Sequence, residues 1–228
     1  MANTQSFLIT IDGPAASGKS SVSRAVAKKL GWNWVSTGAF YRGLAYVALH
    51  EKLRTDDIQG LVALCGSSLW HVEMSDAETR VIYRGQDVTR QIQDENIGSY
   101  ASKVSPHPDV RNALLGPQRA CLHGGSGLVA EGRDCGTVVF PFAPLKIFLT
   151  AGGEERAQRR AQEHGKSVAE ILQAQEKRDF QDRHRTTAPL QVAQGGVLID
   201  SSQLDFVSVV AHVLEQALKT FPELGHIS

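Results

Sequence analysis

Short apolar runs alternate with amphipathic stretches along most of the chain. Five runs have strand length and are predicted to be buried strands: 7–11, 32–35, 128–130, 145–149 and 197–200. Apolar residues three or four positions apart predict helices over 20–30, 40–53, 94–104, 109–122, 154–163, 168–183 and 206–219. Apolar strands that alternate with helices indicate an α/β fold with one parallel sheet covered on both faces.

For two of these helices the sequence predicts further details. Pro117 is expected to kink or interrupt the helix 109–122, because proline lacks the backbone N–H that a helix interior needs. In the last helix, the residues expected to face the core are Val207, Val210, Val213, Leu214 and Leu218.

The middle of the chain has a different pattern. Residues 69–74 and 78–83 alternate apolar and polar side chains imperfectly on either side of Ser75-Asp76-Ala77, which predicts an antiparallel hairpin. A further turn is expected at 85–87. The sequence contains no internal repeat and no obvious interdomain linker. We therefore interpret this region as an insertion into the α/β domain.

Composition and charge narrow the classes of function. Lys+Arg and Asp+Glu both number 24, and the aromatic residues are dispersed, so we expect no nucleic-acid partner and no membrane partner. The N-terminus lacks a basic stretch followed by an apolar core, and no apolar run reaches the ~18 residues of a membrane span. The expected location is the cytoplasm, where Cys65, Cys121 and Cys135 would be reduced thiols without metal-type spacing.

The strongest chemical signal is a phosphate-binding loop. The motif GxxxxGK[ST] is matched in full by Gly13, Pro14, Ala15, Ala16, Ser17, Gly18, Lys19 and Ser20. It lies between a predicted strand and a predicted helix, where backbone N–H groups and the helix N-terminus can hold an anion. Lys19 can reach the β- and γ-phosphates of a nucleotide. Ser20 can hold Mg²⁺, with Ser21 as a second nearby hydroxyl.

This loop alone predicts nucleotide binding and leaves a kinase, a GTPase and an ATP-driven motor open. A GTPase is disfavoured because no NKxD-like tetrad that would read a guanine base occurs. A kinase needs further positive charge around the group that moves and around a phosphorylated acceptor.

Arginines occupy suitable places for that charge. Arg133 follows the strand 128–130 at the edge of the sheet where ligands bind in α/β folds. Further candidates are Arg42, the helical set Arg156, Arg159 and Arg160, and the later set Arg178, Arg183 and Arg185. A solvent-exposed helix face is the alternative for Arg156 to Arg160, and a surface pair with Asp182 is the alternative for Arg178.

Several segments resemble bacterial cytidylate kinases: IDGPAASGKSS, STGAFYR, EGRDCGTVVFP, KIFL, EERAQRR and RDFQDRHRTTAPL. The resemblance runs from about Ile9 to Asp200. Its most specific part is the combination of GRD-x-GTVVFP with RD-x-x-DR-x-R-x-x-AP-L. It implies that ATP, with Mg²⁺, phosphorylates CMP and dCMP to CDP and dCDP. The sequence does not determine the oligomeric state, and a monomer is the default expectation.

The resemblance also implies an architecture, the three-layer fold of P-loop NTPases in a single kinase domain, 1–228. Its five-stranded parallel sheet would carry a monophosphate-binding insert with a small antiparallel sheet, and a short lid. The implied boundaries are a core of 6–36, 106–150 and 167–228, a monophosphate-binding region of 37–105 with the insert at about 62–104, and a lid of 151–166.

Functional residues follow from the same resemblance. The substrate contacts would be Arg42, Arg133 and Arg185 for the acceptor phosphate, Ser102, Arg111 and Asp134 for the cytosine, Arg178 and Asp182 for the sugar, and also Thr37. Arg156 and Arg160 would close over ATP. Lys19, Arg133 and Arg185 would matter most to the chemical step, because an ionised phosphate oxygen needs positioning rather than a strong general base.

Cytosine recognition has a chemical rationale at these positions. Asp134 can accept from the exocyclic amine, and Arg111 can donate to the ring nitrogen or carbonyl. Uracil reverses that pattern, so CMP is expected to be preferred over UMP. Two departures from the family are Ser36, where many members have Asp, and the short lid.

Two other kinds of function remain possible from the sequence. One is another P-loop kinase whose acceptor is a different monophosphate or a hydroxyl. A hydroxyl acceptor would need a carboxylate base near the γ-phosphate and would not need three arginines. The other is a regulatory module that binds ATP and turns over nothing. The choice between CMP and dCMP is left open by the sequence.

Overall fold

The described part of the chain contains eight strands in two sheets. The computed structural model describes residues 7–75, 77–123, 125–164 and 167–226, without the side chains at 159, 160, 162–164, 174 and 226. The strands are β1 (Phe7–Asp12), β2 (Asn33–Ser36), β3 (Trp70–Met74), β4 (Thr79–Tyr83), β5 (Gln86–Asp87), β6 (Gly127–Gly132), β7 (Leu145–Thr150) and β8 (Val197–Asp200). The central sheet is parallel, in the order β2-β6-β1-β7-β8, and β3, β4 and β5 form a small antiparallel sheet.

Helices cover both faces of the central sheet. They are α1 (Lys19–Leu30), α2 (Gly38–His50), α3 (Ile58–Cys65), α4 (Glu95–Val104), α5 (Pro108–Ala120), α6 (Gly153–His164), α7 (Val168–His184) and α8 (Phe206–Thr220). Short 3₁₀ turns lie at Gln91–Gln93, Cys121–His123 and Pro222–His226, and a π-helical turn lies at Cys135–Val139. None of the helices in the described ranges is long and apolar enough to span a membrane.

The two faces of the sheet belong to two apolar clusters. Leu8 and Leu128 point to one side and pack with α2, α3, α4 and α5. Ile9 and Val129 point to the other side and pack with α1 and α8. The side chains alternate because successive residues of a strand face opposite sides of the sheet. The resulting three layers confirm the predicted fold class.

The insertion is anchored to the edge of the central sheet. β2 is an edge strand, and the hairpin of β3 and β4 covers it: Trp34 N–H donates to the Ser75 carbonyl over 2.8 Å. The Thr79 hydroxyl accepts from Ser36 N–H over 3.0 Å and donates to the Trp34 carbonyl over 3.2 Å. The hairpin therefore satisfies backbone groups that an edge strand would leave unpaired.

The structure corrects several expectations from the pattern. The turn expected at 85–87 contains the short strand β5, and Pro117 lies inside α5, which continues past it to Ala120. In α8, Val207 and Leu218 are exposed, whereas Val209 and Ala217 are buried. Val210 and Val213 are buried as expected, and Leu214 packs against the same cluster, so the buried face of α8 keeps these residues and extends to Val209 and Ala217.

We predict that Thr79→Val lowers the free energy of unfolding by about 1–3 kcal/mol, because valine keeps the shape but leaves the Ser36 N–H without its acceptor. Urea denaturation measures the change. Thr220→Val is the control, since the Thr220 hydroxyl bonds only to its own helix at Gln216; it should change stability by less than about 0.5 kcal/mol. Equal stability of Thr79→Val and wild type would refute the anchoring role.

Candidate active site

A cleft of about 1340 Å³ opens at the carboxyl edge of the central sheet. It lies where β1 and β6 run side by side, with Asp12 opposite Gly132 in the pairing. The loop after β1 leads to α1, whereas the chain after β6 turns to the other face. Ligands in open α/β folds bind at such a reversal of strand order.

The phosphate-binding loop forms one wall of the cleft. A Cβ at Gly13 would lie 2.1 Å from the Leu149 carbonyl oxygen, so only glycine lets the loop leave the sheet here. Ala16 and Gly18 have φ of 58° and 83°, which turns the backbone in a tight curve before α1 begins at Lys19. Ala15, Ala16, Lys19 and Ser20 line the cleft. These features suit a loop that wraps an anion.

The Lys19 side chain folds back onto the phosphate-binding loop. Its Nζ donates to the Pro14 carbonyl over 3.1 Å, and the side chain is buried. Burial, together with the charge of Arg133, lowers the pKa of the Lys19 ammonium to about 8. Lys19 therefore carries its positive charge at neutral pH and is already directed at the phosphate-binding loop.

Glu131 is a buried carboxylate at the end of β6 to which the sequence pattern gave no role. It accepts from the Ser20 hydroxyl over 3.1 Å and from the Ser36 hydroxyl over 2.5 Å. The two serines come from α1 and β2, so Glu131 connects the ends of β2 and β6 to the start of α1. A carboxylate directly after a buried strand was the available signal, within the segment EGRD.

Arg133 connects the end of β6 to two other elements. It donates to the Asp182 carboxylate of α7 over 2.8 Å and to the Gly13 carbonyl over 3.0 Å. The surface pair considered for Arg178 and Asp182 is wrong: Asp182 pairs with Arg133 and lies 3.8 Å from Arg185. Arg178 is half-buried and lines the cleft.

Asp134 and Arg111 form a buried ion pair in the wall of the cleft. Arg185 lies 3.8 Å from the same carboxylate and donates to the Ala188 carbonyl over 2.5 Å. Burial raises the pKa of Asp134, and the two guanidinium groups oppose that rise without cancelling it. Among the described residues, Arg111 Nε and Arg185 Nη2 are buried donors with no hydrogen-bond partner.

The remaining acceptor candidates also surround the cleft. Arg42 on α2 donates to the Ile92 carbonyl over 2.7 Å, and Ser102 is exposed on α4. Thr37 lines the cleft at the start of α2, but its hydroxyl donates to the Glu131 carbonyl over 3.0 Å. All nine residues predicted to contact the acceptor therefore border one cavity: Thr37, Arg42, Ser102, Arg111, Arg133, Asp134, Arg178, Asp182 and Arg185.

The residues predicted around ATP are more scattered. The solvent-exposed alternative is wrong for Arg156, which is buried, donates to the Ala15 carbonyl over 2.9 Å and pairs with Asp179 over 2.8 Å. Arg160 falls on α6, and its side chain lies outside the described residues. Ser21 faces away from the cleft, towards a smaller surface pocket with Arg24 and Lys28.

One further buried carboxylate lies behind the cleft. Both oxygens of Asp12 accept backbone N–H groups, from Cys135 over 2.8 Å and from Gly136 over 2.7 Å. Burial raises the pKa of Asp12 to about 6, although both hydrogen bonds lower it. Asp12 does not line the cleft, and the sequence pattern did not indicate it.

Comparison with known proteins identifies a family. The family model described as cytidylate kinase matches residues 9–219. A cytidylate kinase of Bdellovibrio bacteriovorus is 54% identical over 92% of this chain and 96% of its own length. A cytidylate kinase of Edwardsiella ictaluri is 43% identical over 93% of this chain and 96% of its own.

Solved structures support the fold alone. An uncharacterised protein from Eubacterium ventriosum superposes with a TM-score of 0.53 at 11% identity, covering 94% of this chain and 99% of that one. The family model spans most of the chain, and the relatives match it over nearly their full length. The chain belongs to the cytidylate kinase family.

Proposed function

We propose that this protein transfers the γ-phosphoryl group of ATP to CMP and dCMP, forming ADP and CDP or dCDP. The observation that carries the proposal is the buried Asp134–Arg111 pair, which lies in the same cleft as the phosphate-binding loop. A nucleoside monophosphate kinase needs a group that recognises the nucleobase of the acceptor and a loop that binds the phosphates of ATP, and both must face one cavity.

Charge is the first requirement of the reaction. Two polyanions must approach each other, so their phosphates need neutralisation and exclusion from water. Lys19 would meet the β- and γ-phosphates of ATP. Arg42, Arg133 and Arg185 would hold the acceptor phosphate. Nη2 of Arg185, which makes no hydrogen bond and lies 3.8 Å from the Asp134 carboxylate, would donate to one of the phosphate oxygens.

Cytosine would be selected by the polarity of its edge. The Asp134 carboxylate would accept from the exocyclic amine, and Arg111, with its free Nε donor, would face the ring nitrogen or the carbonyl. Uracil presents a carbonyl and an N–H in those places and would leave buried groups unpaired, at about 1–3 kcal/mol each. Ser102 would complete the base contacts, and Arg178 and Asp182 those to the sugar.

The oxygen donors beside the phosphate-binding loop fit a magnesium ion. Mg²⁺ prefers oxygen ligands and usually keeps several of its waters. The Ser20 hydroxyl would hold the ion, and Glu131 with Ser36 would hold its waters. When bound, the ion would neutralise charge on the transferring phosphates. The single carboxylate Glu131 would thereby offset the absence of an aspartate at position 36.

The lid arginines would act on the ATP side. Arg156 already joins the phosphate-binding loop to α7 through Ala15 and Asp179. We propose that Arg156 and Arg160 contact the ATP phosphates when the lid, 151–166, closes. We also propose a single kinase domain, 1–228, with a core of 6–36, 106–150 and 167–228. The monophosphate-binding region would be 37–105, with the insert at about 62–104.

We also propose that the enzyme is a cytoplasmic monomer whose partners are small molecules. The balance of 24 basic and 24 acidic residues supports the absence of a nucleic-acid or membrane partner.

A coupled assay of ADP release tests the proposal. With Mg-ATP, we expect strong turnover of CMP and dCMP and little turnover of UMP, AMP or GMP. Lys19→Ala should lower kcat by about a hundredfold or more, since it removes a transition-state charge. Turnover of none of the five, with ATP still bound, would overturn the assignment and favour a hydroxyl acceptor or a regulatory role.

Glu131→Gln tests the proposed magnesium site. The amide keeps the shape and loses the negative charge, so we expect the Mg²⁺ concentration for half-maximal activity to rise about tenfold. The KM for CMP should change less than about twofold, as Glu131 is not among the acceptor contacts. Glu215→Gln on the exposed side of α8 is the control and should leave both values unchanged. An unaltered Mg²⁺ requirement in Glu131→Gln would exclude this role.

A further inference from the structure

We propose that Asp12 is a positioning residue: it fixes the backbone that carries Arg133 and Asp134 against the phosphate-binding loop, and thereby sets the preference for cytosine over uracil. The inference rests on the proposed function, because it concerns how the same cleft reads its acceptor. Asp12 is the last residue of β1 and directly precedes Gly13. Its side chain touches the turn after β6 rather than the cleft.

The first argument concerns the orphan donors of the π-helical turn Cys135–Val139. The N–H groups at the start of a helical turn have no partner within it. Asp12 satisfies the first two of them, those of Cys135 and Gly136, with one oxygen each. A carboxylate at the N-terminus of a helical turn also interacts favourably with its dipole, and such charge-assisted hydrogen bonds are strong ones.

The second argument concerns Asp134, which occupies the N-cap position of this turn. An aspartate there ordinarily accepts from the backbone of its own turn. Here Asp134 makes no such bond, and its carboxylate faces Arg111 instead. Because Asp12 caps the turn from another strand, the carboxylate of Asp134 is available to the cleft.

The third argument is that two adjacent residues hold both ends of the segment 133–136. Arg133 donates to the Gly13 carbonyl over 3.0 Å, while the Asp12 side chain holds Cys135 and Gly136. Asp134 lies between the two attachments. Its position relative to the phosphate-binding loop is therefore defined by the end of β1.

The two backbone N–H donors around Asp12 fit a side chain with two acceptor oxygens. The residue is 3% exposed, and burial raises its pKa to about 6, so its ionised form is costly in the folded state. An asparagine of the same shape has one oxygen for two donors. Its amide group would face one backbone N–H and displace the turn.

The test compares Asp12→Asn with wild type on CMP and UMP. We expect the ratio of kcat/KM for CMP to that for UMP to fall about tenfold, mainly through a higher KM for CMP, with the KM for ATP within about twofold of wild type. Misfolded enzyme lowers the apparent kcat for CMP and for UMP by the same factor. The ratio of the two kcat/KM values therefore does not depend on the fraction of enzyme that is active. A role in stability alone would leave the ratio unchanged, and that result would overturn the proposal.

Two further variants complete the experiment. Asp205→Asn changes another aspartate that accepts a backbone N–H at a helix start, on α8, and should leave the ratio unchanged. Gly136→Ala covers the case in which Asp12→Asn does not fold: its Cβ would lie 2.8 Å from Thr10 Oγ1 and 3.4 Å from the Asp12 carboxylate, so the ratio should fall again. An unchanged ratio in Gly136→Ala would also contradict the proposal. A wild-type enzyme that does not prefer CMP would instead refute the proposed function.

Discussion

The parallel pairing of β1 with β6 is the constraint on which the site depends. It sets Asp12 opposite Gly132, so the phosphate-binding loop and the turn with Arg133 and Asp134 leave the sheet side by side. Hydrogen bonds then connect the two segments: Arg133 donates to the Gly13 carbonyl, and the Asp12 carboxylate accepts from the N–H groups of Cys135 and Gly136. In the proposed reaction, this pairing brings the cradle for ATP and the contacts for the acceptor within reach of each other.

The charges in the cleft are arranged for ligands more than for stability. The buried ion pair Arg111–Asp134 and the half-buried pair Arg133–Asp182 lose hydration that their mutual attraction only partly restores. In the proposed reaction their benefit would be preorganisation, since guanidinium groups already oriented by carboxylates need little rearrangement when phosphates bind. The acidic partners also keep a cluster of like charges together before substrate binds.

Local patterns predicted much of the molecule, and long-range contacts explain the rest. The strands and the phosphate-binding loop were predictable, because each depends on a few consecutive residues, and Arg133 followed from its place after a buried strand. Glu131 and Asp12 were missed, because the partners of Glu131 lie on α1 and β2 and those of Asp12 lie in the turn after β6. The helix α3 was also missed, although Asp57 caps its N-terminus and its apolar spacing is helical.

A crystal structure with CMP and a non-hydrolysable ATP analogue tests the central claim most directly. We predict that the cytosine amine lies within hydrogen-bond distance of Asp134, while the CMP phosphate contacts Arg133 and Arg185 and faces the γ-phosphate held by the loop at Lys19. If the cytosine bound away from Asp134, or the CMP phosphate away from Arg133, the account of how this sheet edge joins the two substrates would be wrong.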